Sequence, residues 1–374
     1  MFNIVWWQGS IAVAKPVLLY SADGGVQPVR SWACLLRETV TLFGRTSTRI
    51  GLRTAKSKRT GIRSIVTLAV LLLGVTSGDA HAQGRTTSGT AALDAQGTVV
   101  VKNHEGRITV ETWDRDEVRY EAVVRPEDGA DHPEATRVRV EEGSRRFEIR
   151  TEYDESRAEE DDDSGWFGID VQQNIMPVAY RLTVPRGATV EVEDHESTIE
   201  VRGVEGELTV GTHEGSVTVA DQEGATTLTS HDGPITVENQ SGPLTIDTHD
   251  GSVRLRSVAG RTEINAHDGR IEAEGLRGAL TVSTHEGEGR FAFADLVDDV
   301  EVDTHDGDFA FTLPAEAGFN LRTDFDDADL RGDFDLASVR VMDDDEINYA
   351  GAVNGGGPRL SLTAHDGSFE IRAP

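Results

Sequence analysis

His213, His231, His249, His267 and His285 recur every 18 residues, and each is followed by Asp or Glu and then Gly. His195 precedes them in the same register, with Ser197 where the glycine would fall. If successive copies stack, the imidazoles and their carboxylates line one edge. Two neutral imidazoles one rung apart can share a transition metal, with nitrogen ligands at ~2.0–2.1 Å. Zn, Ni or Cu would then bind weakly at several sites. The same triplet is also a turn signal. Asp-Gly suits tight turns, a His beside a carboxylate is a satisfied pair, and a repeat copies a residue without selecting it for a site. The turn reading is adopted. No residue is therefore assigned a catalytic, cofactor-binding or metal-ligating role, and weak divalent metal binding by the His-acid edge stands as the alternative.

Other chemistries fit less well. Nine-residue repeats with two half-coils per turn are the format of the calcium β-roll, which needs Gly-Gly-x-Gly-x-Asp in each repeat. Here each repeat has one glycine, and acid follows His only on alternate turns. Asp324, Asp326, Asp327 and Asp329 are acid-dense but lack the glycine and terminal Glu of a helix-loop-helix calcium site. No Gly-x-Ser-x-Gly, His-Glu-x-x-His or phosphate loop occurs. Some β-helices cleave polysaccharides with carboxylates in a cleft walled by long loops, and this chain has few such loops. An enzyme is not expected.

The elements that would position the histidines follow from the glycines. Gly206, Gly215, Gly224, Gly233, Gly242, Gly251, Gly260, Gly269, Gly278 and Gly287 are spaced by nine. Two and four residues after each of the first nine stand pairs such as Leu208 and Val210, Ile235 and Val237, and Val253 and Leu255. Sixteen of these 18 positions are apolar, and the residues between them are mostly Thr, Glu, Arg or Ser. That alternation marks a strand with one buried face. The glycine is expected to supply a turn conformation that a Cβ would resist. The alternate turns carry Gln222, Gln240, Val258 and Leu276 instead of His. The fold predicted is all-β: a two-sided parallel β-solenoid with 18-residue coils, each made of two nine-residue half-coils, plus an N-terminal β cap. The nine-residue step argues against three hexapeptides per coil, and the crossover preference favours the right hand.

Farther along, two extra residues after Gly287 are expected to shift the frame and give Phe291 and Phe293. Val300 and Val302 resume it, His305-Asp306-Gly307 leads into Phe309 and Phe311, and His365-Asp366-Gly367 precedes Phe369 and Ile371. Residues 97–124 read as strands, and Arg137 to Arg150 as a hairpin around Glu141-Glu142-Gly143-Ser144. These are expected to pack on the first coils and cover an open edge. Residues 152–173 read as an acidic loop pinned by Trp166 and Phe167, and 314–358 as a second irregular stretch.

The N-terminal region reads as a leader. A basic stretch at 56–63, an apolar run from Ile65 to Val75 and Ala80-His81-Ala82 have the order of a signal peptide. The run is shorter than the ~20 residues of a membrane span. The expected organisation is 1–54 as a mis-assigned start or disordered leader, with translation beginning nearer Leu52, and 55–82 as the signal peptide. Residues 83–175 form the N-terminal strands, hairpin and acidic loop, and 176–374 the solenoid. Ten of the 36 basic and three of the 66 acidic residues lie in 1–82, so cleavage after Ala82 leaves a net charge of −37. Such a field repels nucleic acid and anionic lipid. The one cysteine, Cys34, lies in the leader, so the mature chain forms no disulfide.

Ala179-Tyr180-Arg181-Leu182-Thr183-Val184-Pro185, the recurring Leu-Thr-Val-x-Thr-His-Asp/Glu-Gly unit, and Asn354-Gly355-Gly356-Gly357-Pro358 before a final strand pair together resemble the bacterial "putative adhesin" β-strand-repeat family over residues 95–374. The resemblance implies an exported β-solenoid and carries over no catalytic residue. The combined expectation is a secreted, non-catalytic structural or adhesin-like module of the periplasm or outer cell surface. It would have no membrane span after cleavage, and its partner would be an envelope protein or glycan.

Overall fold

The computed structural model describes residues 38–42, 45–49, 85–125, 136–153, 176–343 and 346–374. Contacts divide the chain into two units, Met1–Thr76 and Ser77–Pro374. In the first, Glu38–Leu42 pairs antiparallel with Arg45–Arg49. The expected signal peptide and the acidic loop from 154 onward, with Trp166 and Phe167, lie outside the described residues.

In the second unit the sequence alternation becomes a stack of two-stranded coils. A leading strand such as Leu244–Thr248 runs into the His turn, and a returning strand such as Val253–Val258 follows it. From Thr189 to Phe293 each strand pairs in parallel with the equivalent strand 18 residues away. Leu228 lies beside Ile246, which lies beside Ile264, and Val237 lies beside Leu255, which lies beside Ala273. Val210, Leu228, Val237, Ile246, Leu255 and Ile264 are fully buried, so the two rows of each coil meet in one continuous core. A core this narrow cannot close within one coil, and its stability is shared between neighbours. The chain is the all-β parallel solenoid that the nine-residue period predicts.

The glycines serve a different purpose from the one expected. In the column at nine-residue spacing, most do not sit at positive φ; Gly260, Gly269 and Gly278 do. What unites them is proximity. A Cβ on Gly224 would lie 2.0 Å from the carbonyl oxygen of Gly206, and one on Gly233 1.8 Å from that of Gly215. Glycine is required because the turn of one coil rests on the backbone of the coil before it. The left-handed positions form another column, Gly203, Asp221, Asn239, Ser257 and Gly275, on the turn opposite the histidines.

The stack also extends beyond residues 176–374. Thr98–Lys102 and Gly106–Trp113 are a coil of the solenoid, lying between Thr189–Glu193 and Thr198–Arg202 on one side and Arg146–Tyr153 and Val178–Pro185 on the other. The capping strands are those that run antiparallel. Glu117–Val124 lies on Val178–Pro185, Arg85–Ala92 lies on Glu117–Val124, and Thr136–Glu141 forms the expected hairpin with Arg146–Tyr153.

Two expectations at the C-terminal end are corrected. The frame does not shift after Gly287. Gly289 pairs with Ile271 and Phe291 with Ala273, both still 18 apart, and the insertion falls in the turn between Phe293 and Val300. Gly289 occupies an apolar row without a side chain, and the Phe309 and Phe291 rings close over it, 2.3 and 2.6 Å from where its Cβ would stand. Strands also run through much of the described part of 314–358. Phe319–Phe325 and Asp329–Gly332 form a further coil, and Glu346–Val353 covers it antiparallel. Arg359–Arg372 enters between this coil and Val300–Thr312, pairing with both. The last strand is thereby held on two sides.

Candidate functional site: the histidine edge

The backbone ladder continues through the His turn and fixes the spacing of its side chains. The carbonyl of His213 accepts from the amides of both His231 (3.1 Å) and Asp232 (2.9 Å), and that of His231 accepts from His249 (3.2 Å) and Asp250 (2.9 Å). One residue before His, a hydroxyl clips the turn. Thr212, Ser230 and Thr248 each accept the amide of the glycine three residues on, at 3.1–3.2 Å.

The result is a column of nine imidazoles. His104, His195, His213, His231, His249, His267, His285 and His305 stack face to face, with centroids 4.6–5.0 Å apart and planes within 10° of parallel. His365 follows His305 at 4.9 Å but is tilted by 56°. Tyr153 closes the opposite end, edge-on to His104 at 5.8 Å. The five histidines of the strict repeat are thus brought together, and four more join them. His104 was legible as His104-Glu105-Gly106, the same triplet ahead of the repeat region. Its place in the column was hidden because its coil is separated from His195 by 91 residues of sequence.

The carboxylates sort by length. Asp reaches the Nδ1 of the His before it: 2.6 Å for Asp232, 2.8 Å for Asp250, 2.9 Å for Asp268 and 3.1 Å for Asp306. Glu stands farther off: 3.4 Å for Glu196, 3.7 Å for Glu214 and 3.9 Å for Glu286. The last rung is wired differently. Asp366 caps the Gly367 amide at 2.6 Å, and His365 Nδ1 instead meets Asp326 at 2.8 Å. That hydrogen bond, aided by the negative charge around it, raises the His365 pKa. The acidic cluster at 324–329 therefore serves the histidine edge in part.

At the Tyr153 end the edge closes into a buried polar network. Ser197 replaces the glycine of its turn and is fully buried. Its amide and hydroxyl both donate to Asp194, at 2.5 Å each, and it accepts from Asn103 at 2.9 Å. Burial raises the Asp194 pKa, opposed by its hydrogen bonds to Ser197 and Thr212. Burial likewise pushes the Tyr153 hydroxyl well above its usual range. The Nδ1 atoms of His104 and His195 are buried here without a hydrogen-bond partner.

Beside the column runs an open groove of about 950 Å³, from Thr229 to His365. Its walls repeat rung by rung. One row is His249, His267, His285, His305; the next is Thr248, Ala266, Thr284, Thr304; the third is Asp247, Asn265, Ser283, Asp303. Asn265 donates to Asp247 at 2.8 Å across one rung. The opposite turns differ in kind. Gln222 and Gln240 point inward, are buried, and donate at 2.9 Å to the carbonyls of Gly206 and Gly224. Among the described residues, the stacked row of imidazoles belongs to the histidine edge.

The family model for Toastrack DUF4097 matches residues 132–372. The chain belongs to the Toastrack DUF4097 family. That assignment agrees with the strand-repeat resemblance carried by 179–185, the repeated unit and 354–358. Solved structures similar to this Toastrack chain include a "putative adhesin" from Bacteroides fragilis, 10% identical, covering 78% of this chain and 97% of that one with a TM-score of 0.25. Another is a "putative cell adhesion protein" from Clostridium sporogenes, 8% identical, covering 78% and 100% with a TM-score of 0.17. No curated protein matches the Toastrack chain in sequence. Among its described residues no helix is long and apolar enough to cross a membrane.

Proposed function

We propose that this protein is an exported, non-catalytic interaction module of the cell envelope, and that its histidine-edge groove receives an extended, repetitive partner such as a glycan. The observation that carries this reading is the rung-by-rung repetition of the groove walls from Thr229 to His365. A surface that repeats its imidazole row every ~4.8 Å, with Asp247, Asn265, Ser283 and Asp303 beside it, offers closely related hydrogen-bonding sets along a line. Linear polymers with repeated hydroxyl groups match that display, and many weak contacts along one chain add by effective concentration. The strongly negative charge, −30 over the whole chain, favours neutral or basic partners over polyanions. Export rests on the basic, apolar and Ala80-His81-Ala82 order of the leader.

Binding of the purified chain to an array of envelope glycans tests the groove. Asp247→Ala/Asn265→Ala/Asp303→Ala should abolish binding, whereas Arg254→Ala/Arg256→Ala on the returning strands should not. Equal binding by both variants would remove the groove from the reading. N-terminal sequencing of secreted material tests export, with Gln83 the expected first residue.

A further inference from the structure

We propose that the histidine edge is a transition-metal array in which each ion bridges two neighbouring rungs, a function separate from polymer binding. The carboxylates prepare the ligands. A carboxylate on Nδ1 holds the proton there and leaves the Nε2 lone pair free to coordinate, the arrangement by which second-shell acids orient metal-binding histidines. His231, His249, His267 and His305 have that carboxylate at 2.6–3.1 Å from the adjacent Asp, and His365 has it from Asp326. The groups His249, Asp250, His267 and His267, Asp268, His285 each bring one ligand atom per residue within 4.8 Å of one another.

Pairing follows from distance. Two nitrogens on one tetrahedral ion, each at ~2.0 Å, lie about 3.3 Å apart. Stacked neighbours stand 4.6–5.0 Å apart, so two rings must lean together by about 1.5 Å to share an ion. They are free to do so, since their side chains are about half exposed. His305 and His365 are already inclined by 56°. A ring that leans toward one neighbour leans away from the other. An ion on His249 and His267 therefore excludes one on His267 and His285. Nine imidazoles then hold at most four ions, on alternate gaps. Borderline-soft ions that accept imidazole, Zn²⁺, Ni²⁺ and Cu²⁺, fit this donor set better than Ca²⁺ or Mg²⁺.

The test is calorimetric titration of the full chain, without an affinity tag, with Zn²⁺ alone. The wild type should take up two to four ions at micromolar metal, and X-ray absorption of the loaded protein should show two nitrogens per zinc at ~2.0 Å. Two variants with equal histidine loss separate pairing from composition. His195→Asn/His231→Asn/His267→Asn/His305→Asn leaves five imidazoles with no two adjacent, and binding should weaken by about tenfold or more as the second ligand is lost. His104→Asn/His195→Asn/His213→Asn/His231→Asn leaves five in one run and should retain two ions at near wild-type affinity. Far-ultraviolet circular dichroism verifies that both variants keep the β fold. No wild-type uptake at micromolar zinc, fewer than two nitrogens per ion, or equal affinity of the two folded variants would each overturn the proposal. The first two outcomes need no substitution.

Discussion

Replacing Gly233 by alanine should be among the most damaging single-methyl changes available in this protein, whereas the same change at Gly211 should be silent. The Cβ of Gly233→Ala would stand 1.8 Å from the Gly215 carbonyl oxygen and 2.7 Å from its carbon, where ordinary contact begins at 3.4 Å. The obstacle is backbone, so no rotamer relieves it, and the turn must lift by about 1.6 Å, a third of the ~4.8 Å rung spacing. Lifting it breaks the paired bonds of His231 and Asp232 to the His213 carbonyl. Each is worth about 1 kcal/mol net, and overpacking adds about 1–3 kcal/mol, so the expected loss is about 3–5 kcal/mol. Gly211 lies one coil away, in the leading strand, and a Cβ there meets nothing within 4 Å. Gly211→Ala should stay within about 0.5 kcal/mol of wild type. Urea unfolding followed by far-ultraviolet circular dichroism measures both. A Gly233→Ala midpoint equal to wild type, or a Gly211→Ala midpoint as low as that of Gly233→Ala, would refute close backbone stacking as the reason for the glycine repeat.

Three further outcomes follow from the same geometry. Phe311→Ala removes a fully buried ring stacked on Phe291 at 5.5 Å and should cost about 3–5 kcal/mol, read by the same denaturation. Gln240→Val strands the Gly224 carbonyl and the Thr226 hydroxyl, both now bonded to the amide, and should cost about 1–2 kcal/mol. Gln222→Val should cost less, because the Gln222 Oε1 already lacks a partner. For His365, the bond to Asp326 raises the folded-state pKa above 6.5, so any stability it contributes is complete below pH 6.5 and is lost as pH rises through the raised value. Asp326→Asn should move the His365 imidazole titration in proton NMR to lower pH, and an unmoved midpoint would contradict the contact.

Much of the fold was legible because a solenoid repeats its physics in sequence. Alternation after each glycine located the buried rows, and the 18-residue spacing of His located one edge. What the sequence did not yield is where chain order and stacking order part. Thr98–Trp113 lies next to Thr189–Arg202, a contact that local periodicity cannot report, and this concealed His104. The stretch 314–358 was misjudged for a related reason. Phe319, Leu321 and Phe325 alternate as a strand should, but the acids between and after them, and the missing nine-residue step, masked a coil that pairs with the end of the chain. The glycine column was recognised by position, yet its cause lay in the rung below, 18 residues away. Asp and Glu behave alike in a pattern search, and only the geometry separates the Asp rungs that hold their imidazoles from the Glu rungs that stand off.

The central claim is that residues 18 apart occupy adjacent rungs of one parallel stack. Spin labels at Thr209 and Glu301, with Cys34 replaced by serine, test it most directly. The two sites are exposed and lie in one row, joined through Thr227, Thr245, Glu263 and Thr281. Five rungs at ~4.8 Å predict a pulsed electron-resonance distance near ~24 Å. A meander of nine-residue hairpins would place one strand between successive members of that row and give ~48 Å. The shorter distance is the one this structure requires, and the longer would contradict it.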